Sequence, residues 1–170
     1  MSASSIENVR TGSSVEEIKR AITDHLCHSL GVFPEIASSE SYYQAVALTV
    51  HDRLQEVFVS TIRAEGLRRA YKVVIYLSAE YLMGPQLLNN LINLGIHDQV
   101  RMAVADLGKD LDQLLEHESE PGLGSGGLGR LAACYLDSLA TLKVPTVAYG
   151  IRYEFGIFEQ SIENGWQVEK

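Results

Sequence analysis

The densest chemistry-bearing segment is Pro121 to Arg130, PGLGSGGLGR, where five of the chain's 14 glycines fall within Gly122 to Gly129. Glycine lets a backbone adopt positive φ and approach a bulky anion with no Cβ in the way. A helical pattern, Leu131 to Leu142, follows at once. A helix starting at such a loop directs free amides, and the positive end of its dipole, at one spot suited to a phosphate. The spacing matches GxGxxG twice, at Gly122-Gly124-Gly127 and at Gly124-Gly126-Gly129. A dinucleotide site needs a strand directly before those glycines, yet the preceding residues, KDLDQLLEHESE, are helical and acidic. A nucleotide P-loop needs Gly-Lys-Ser/Thr, which the sequence lacks. Two readings remain: an anion site built from amides, or a turn whose glycines serve close helix packing.

Three further groups invite chemistry. Glu80 follows an apolar segment, where α/β proteins place functional side chains, outside the carboxyl ends of strands. It would serve equally as a helix-start carboxylate favoured by the dipole. His25, Cys27 and His28 lie close together, and the two histidines at i,i+3 have the spacing to touch one metal. No third ligand is evident nearby, so an ordinary helix surface is the expectation and no metal site is assigned. The acidic run Asp110, Asp112, Glu116, Glu118 and Glu120 reads as a solvated face. No Ser/His or Cys/His nucleophile pair is legible.

The elements that must position these groups follow from periodicity. Ser14-Val15-Glu16-Glu17 reads as a capping box, followed by apolar residues at helical spacing (Val15, Ile18, Ile22, Leu26, Leu30) and a stop at Gly31. A second helix is expected from about Glu40 to Arg63, its face carrying Tyr43, Val46, Val50, Leu54, Val57 and Ile62. Tyr71 to Ser78, YKVVIYLS, is β-branched and aromatic and predicts a buried strand. Met83-Gly84-Pro85 breaks the chain before helices at Gln86 to Leu94, about His97 to Leu107, and Lys109 to His117. A strand is predicted from Val144 to Tyr149. Phe155 to Gln160 and Trp166 to Glu169 flank Asn164-Gly165, a pair favoured in tight hairpins. Two core strands and one hairpin against four or five helices predict an α/β sheet left incomplete within this chain.

The 170 residues are 46% hydrophobic and 21% charged, which excludes a disordered or collagen-like chain. A net charge of −8 argues against a nucleic-acid or anionic-membrane surface. Cys27 and Cys134 are too few for a disulfide framework and are expected as buried free thiols. The polar amino terminus lacks the apolar stretch of a signal peptide, and Val73 to Leu77, the longest clean apolar run, is too short to span a bilayer. A cytoplasmic protein is expected.

Longer motifs then become specific. Tyr76 to Gly84 (YLSAEYLMG), Gly122 to Ser138 (GLGSGGLGRLAACYLDS), Tyr149 to Phe158 (YGIRYEFGIF) and Gly165-Trp166-Gln167 resemble the N-terminal part of glycogen (α-1,4-glucan) phosphorylases. The likeness runs from about Tyr42 to the last residue. It implies the helix-rich N-terminal part of a two-domain, GT-B-like glycosyltransferase, with residues 1–12 as a disordered polar tail and 13–170 as a partial domain. Within that domain, 13–69 would be a helical lead-in and 70–170 the start of the α/β core. The resemblance also implies pyridoxal phosphate, used through its phosphate group as an acid/base partner of the substrate phosphate. The reaction would be phosphorolysis of an α-1,4-glucan to glucose 1-phosphate with retention, in an enzyme that is a homodimer at full length.

By motif position, Gly126, Gly127 and Leu128 inherit contacts to substrate phosphate and glucose, while Glu80 and Ser125 support the loop. Ser125 replaces the asparagine usual between the glycines, and with it a side-chain amide contact. Leu82 stands where animal members have a tyrosine beside the cofactor. Val57 to Gly66 lacks the tryptophan and paired glutamines linked to nucleotide activation, and the amino terminus lacks the basic phosphorylation context of animal members. A bacterial-type member is therefore expected. None of Lys19, Lys72, Lys109, Lys143 and Lys170 occupies a cofactor-lysine motif, and the catalytic groups are expected beyond residue 170. The chain alone would then be inactive. The alternative is a short non-catalytic module that associates with glucan or with a full-length phosphorylase.

Overall fold

The computed structural model describes residues 8–66, 72–154, 156 and 160–169. They form two compact units, one from Met1–Leu67 and Pro85–Ser119, the other from Arg68–Gly84 and Glu120–Lys170. The chain thus leaves the first unit after Leu67, returns for residues 85–119, and leaves again.

The first unit is helical. Helix α1 (Asn8–Thr11) lies in the stretch expected to be a disordered tail, whose residues 1–7 are outside the described residues. Arg10 explains the order, with ion pairs to Asp52 at 3.0 Å and Asp24 at 3.5 Å. Helix α2 (Val15–Asp24) opens with the expected capping box: the Glu17 amide donates to Ser14 Oγ, and the Ser14 amide donates to the Glu17 carboxylate. These bonds hold the Glu17 carboxyl below its ordinary value, the Ser14 side chain contributing most. The helix continues as a π-turn, His25–Ser29, in which the Leu30 amide reaches His25 O, before Gly31 at φ +69° ends it.

Helix α3 (Ser39–Gly66) buries Tyr42, Ala45, Val46, Thr49, Val50 and Arg53. The apolar face expected farther along is not buried: Val57 and Ile62 are half exposed. At 1.5 Å per residue the 28-residue helix is about 42 Å long, well over twice either α2, on which it packs, or α5 (His97–Asp106), which packs on α2. Its last three turns therefore run past the core. Helices α4 (Leu87–Asn93) and α6 (Leu111–Leu115) complete that core with Leu87, Leu91, Leu111 and Leu114.

Three members of the expected solvated acidic run have structural work. Asp110 caps α6 through the Asp112 and Gln113 amides, and Asp112 pairs with Arg101 at 2.8 Å. Glu118 accepts from the Gln86 and Leu87 amides at the start of α4, which has no side-chain cap of its own. Glu116 and Glu120 are exposed, as expected.

The second unit holds two small sheets. Strand β1 (Val74–Leu77) pairs in parallel with β2 (Thr146–Tyr149), Val74 opposite Thr146 and Leu77 opposite Tyr149. Between them runs α7 (Gly127–Thr141), which packs on β2 and buries Gly129, Ala132 and Ala133. The expectation of a buried strand over 71–78 is overturned: β1 is shorter, and Ile75 and Leu77 are more than half exposed. A two-stranded sheet has two open edges, and α7 alone leaves much of it uncovered. Strands β3 (Gln160–Glu163) and β4 (Trp166–Glu169) form the expected hairpin, with Asn164 and Gly165 both at positive φ as a type I′ turn needs. Phe155 and residues 157–159, expected in its first strand, are outside the described residues. Among the described residues no helix is long and apolar enough to cross a membrane.

Candidate functional site

The glycine segment sits beyond the carboxyl end of β1, and the chain there explains two of its five glycines. The Tyr81 amide donates to Leu123 O at 2.9 Å, and the next amide, Leu82, donates to Gly129 O at 3.0 Å. Two successive amides therefore hold the entry and the exit of the loop. Such closeness excludes side chains. A Cβ on Gly124 would lie 2.8 Å from Tyr81 C and 2.9 Å from Leu82 N, and one on Gly129 would lie 3.0 Å from Leu82 N. Both residues are buried.

Gly126 and Gly127 differ. A Cβ on either would meet nothing within 4 Å, and both are exposed. Positive φ, one of the two uses expected for these glycines, is not found at Gly124, Gly126, Gly127 or Gly129. What they supply is approach: inward to the chain's own backbone at 124 and 129, outward to open space at 126 and 127.

Helix α7 starts four residues earlier than the apolar pattern predicted, because glycine is a poor helix former and disguises a first turn. Its N-cap is Gly126, without a side-chain cap. The first intrahelical bond runs from the Arg130 amide to Gly126 O at 2.9 Å. The amides of Gly127, Leu128 and Gly129 precede it and have no partner within the helix. With the positive end of the helix dipole behind them, they make a surface suited to an anionic oxygen.

Glu80 is half-buried beside this surface, and its Oε2 accepts from the Ser125 amide at 3.3 Å. The structure thus brings together Glu80, Ser125, Gly126, Gly127 and Leu128. Glu80 is not in a helix, so the helix-start reading of its carboxylate lapses. Its backbone is fixed by a local turn in which Ser78 Oγ accepts from the Glu80 amide and donates to Glu80 O at 2.8 Å.

The histidine-cysteine group is not brought together. His25 is buried, with Nδ1 at 2.9 Å from Ser29 Oγ and Nε2 at 3.1 Å from Asp52. His28 faces outward, 3.7 Å from Asp24. Among the described residues no three His, Cys, Asp or Glu side chains are grouped to hold a metal. The expectation of buried thiols also fails, since Cys134 is exposed on α7 and Cys27 is half-buried.

Sequence reasoning missed Tyr81 and Gly150. The Tyr81 hydroxyl donates to Tyr149 O at 2.9 Å, with Tyr76 O at 3.3 Å as a second acceptor. A Cβ on Gly150 would lie 2.6 Å from the Tyr81 ring. Burial and then the neighbouring Tyr76 push the Tyr81 hydroxyl's pKa up, keeping it a donor throughout the neutral range. Both lie within motifs that carry the resemblance, Tyr76 to Gly84 and Tyr149 to Phe158, without a role given to either, and periodicity treats an aromatic after Glu80 as packing.

Comparison with known proteins adds an independent line. The family model described as carbohydrate phosphorylase matches residues 104–170. Glycogen phosphorylase of Synechocystis sp. is 56% identical over 164 residues, 96% of this chain and 19% of that protein. Glycogen phosphorylase of Chlamydia trachomatis is 47% identical over 160 residues, 94% of this chain and 20% of that protein. The brain form of glycogen phosphorylase from Bos taurus is 46% identical over 156 residues, 92% of this chain and 18% of that protein. The chain spans about a fifth of the length of the curated relatives it matches.

Proposed function

Since the chain belongs to the glycogen phosphorylase family, we propose that it is the N-terminal region of an α-1,4-glucan phosphorylase and contributes the loop that holds substrate phosphate and terminal glucose. The observation that carries this reading is the outward-facing turn at Gly126 and Gly127, where a Cβ would meet nothing within 4 Å and the Gly127 and Leu128 amides have no partner within the helix. Phosphate or the phosphate of glucose 1-phosphate would accept from these amides, and Glu80 would keep the loop in place through Ser125. The reaction of the whole enzyme would be phosphorolysis of an α-1,4-glucan. The GT-B-like architecture, the homodimer and the cytoplasmic location belong to the same proposal, and family membership is their support.

Pyridoxal phosphate is implied by the family, and the described lysines do not fit its attachment. Lys19 pairs with Asp106, and Lys109 lies 4.8 Å over the Tyr42 ring, both in the first unit. Lys72 precedes β1, and Lys143 follows α7 at φ +54°. None adjoins the glycine loop in sequence or by a hydrogen bond, so no step through the cofactor is assigned to this chain. Its residues would bind and orient, and proton transfer would be done elsewhere in the enzyme.

The test is phosphorolysis kinetics of the full-length enzyme alongside this chain alone. The full-length enzyme should release glucose 1-phosphate from glycogen and phosphate, and the chain alone should not. Turnover by residues 1–170 would overturn the assignment.

A further inference from the structure

We propose that Tyr81 is the positioning residue of the glycine loop, its hydroxyl setting where the Gly127 and Leu128 amides stand. The inference rests on the reading of that loop as the phosphate holder, and it adds a residue that no motif assigned. The geometry has three parts. First, the loop has two backbone ties to the segment after β1, to the amides of residues 81 and 82, one at each end of the loop. Any displacement of that dipeptide moves both ends together.

Second, the dipeptide needs its own fixing. It follows β1 without belonging to a helix or strand, so no regular ladder holds it. The Tyr81 side chain crosses to the end of β2 instead. Its hydroxyl donates to Tyr149 O, while the same Tyr149 O accepts from the Ser78 amide at 3.2 Å. One carbonyl at the end of β2 therefore gathers the start and the end of the segment Ser78 to Tyr81. Having a single proton, the hydroxyl favours Tyr149 O at 2.9 Å over Tyr76 O at 3.3 Å.

Third, the ring has no freedom to swing. Gly150 lies directly against it, with room for no Cβ, and the Tyr76 ring stands edge-on with centroids 6.3 Å apart. Sheet end, tyrosine, successive amides and loop form one continuous chain of contacts. A phenylalanine at 81 would keep the packing and lose the tie.

The test is Tyr81→Phe in the full-length enzyme, with hydrogen exchange of the loop amides and steady-state kinetics measured on the same preparation. Exchange at residues 123–129 should quicken. The KM for phosphate should rise about 2- to 10-fold, the equivalent of one neutral hydrogen bond, while the KM for glucan stays put. Gly150→Ala, which drives a Cβ into the ring, should give the same signature from the opposite side. Tyr135→Phe should change neither reading, since no hydrogen bond of its hydroxyl is found among the described residues. Unchanged exchange in both Tyr81→Phe and Gly150→Ala overturns the proposal. Faster exchange with an unchanged KM for phosphate leaves Tyr81 as the loop's anchor and overturns the phosphate role of the loop instead.

Discussion

Substituting alanine at Gly127 and, separately, at Gly129 distinguishes the two uses of glycine in the loop. At Gly127 the new methyl group meets no atom within 4 Å. The residue is the first of α7, where φ is negative, so alanine is conformationally acceptable and the fold should be unaffected. The methyl instead occupies the space an anion would enter. Loss of one hydrogen bond to a charged oxygen is worth about 1.5–3 kcal/mol, which converts to roughly a 10- to 150-fold rise in the KM for phosphate. At Gly129 the methyl would stand 3.0 Å from Leu82 N and 3.3 Å from Glu80 Cβ, in a buried position. Overpacking of this kind costs about 1–3 kcal/mol and should appear as a lowered Tm. The assays are thermal unfolding and initial rates against phosphate in the full-length enzyme. An unaltered phosphate KM in Gly127→Ala refutes the outward-facing role. A Tm loss in Gly127→Ala as large as that in Gly129→Ala refutes the division itself.

The capping box gives a pH test. Glu17 sits below its ordinary value of 4.5, chiefly through Ser14, so its contribution to stability is fully present above that value and fades as pH falls through the lowered one. Ser14→Ala should therefore unfold more easily at neutral pH, by about 1 kcal/mol, and the gap to wild type should narrow in acid denaturation; a gap that widens in acid contradicts the assignment. Arg53 is buried and donates to Gly12 O from Nε and to Thr49 O from Nη1 at 2.7 Å. Arg53→Ala should cost roughly 1–3 kcal/mol in urea unfolding, mainly from the abandoned Gly12 carbonyl, and a neutral result would show that water replaces the guanidinium. Borohydride reduction after incubation with pyridoxal phosphate should leave Lys19, Lys72, Lys109 and Lys143 without stoichiometric label in peptide mapping. Specific labelling of any one would place the cofactor lysine within this chain.

Local signals were legible where the deciding interactions are local. The Ser14–Glu17 box, the Asn164-Gly165 turn and the cores of α2 through α6 need only a few neighbouring residues, and these appear at or near the expected positions. Signals failed where the outcome depends on distant partners. Val57 and Ile62 continue a helical stripe, yet both stay half exposed on the far end of α3. Val74 to Leu77 has the composition of a buried strand and lies in a two-stranded sheet that α7 covers only in part. The glycine loop was legible in type and only half legible in reason. Its spacing announced close approach, whereas which glycines face the chain and which face outward depends on the backbone of residues 80–82, forty residues earlier. The same holds for Glu118, which reads as surface charge and turns out to cap a helix that begins at Leu87.

The loop's chemistry also limits what it can do for affinity. The two outward amides, with the dipole of α7, would each contribute about 1.5–3 kcal/mol to a charged oxygen, with about 0.3–1 kcal/mol more from the helix end. Immobilising a small anion costs about 4 kcal/mol or more. The sum leaves at most a few kcal/mol, a dissociation constant at or above the millimolar range. Glu80, a carboxylate bonded to the neighbouring Ser125 amide, subtracts from that figure. No lysine or arginine side chain among the described residues donates a hydrogen bond into the loop to offset it. An amide cradle of this kind therefore contributes orientation in excess of binding strength. In the proposed role it would fix where phosphate oxygens sit relative to the end of the sheet, and the attraction would come from cations outside the loop. In a chain carrying a net charge of −8, such a division would let phosphate be held close and released without a permanent strong ion pair.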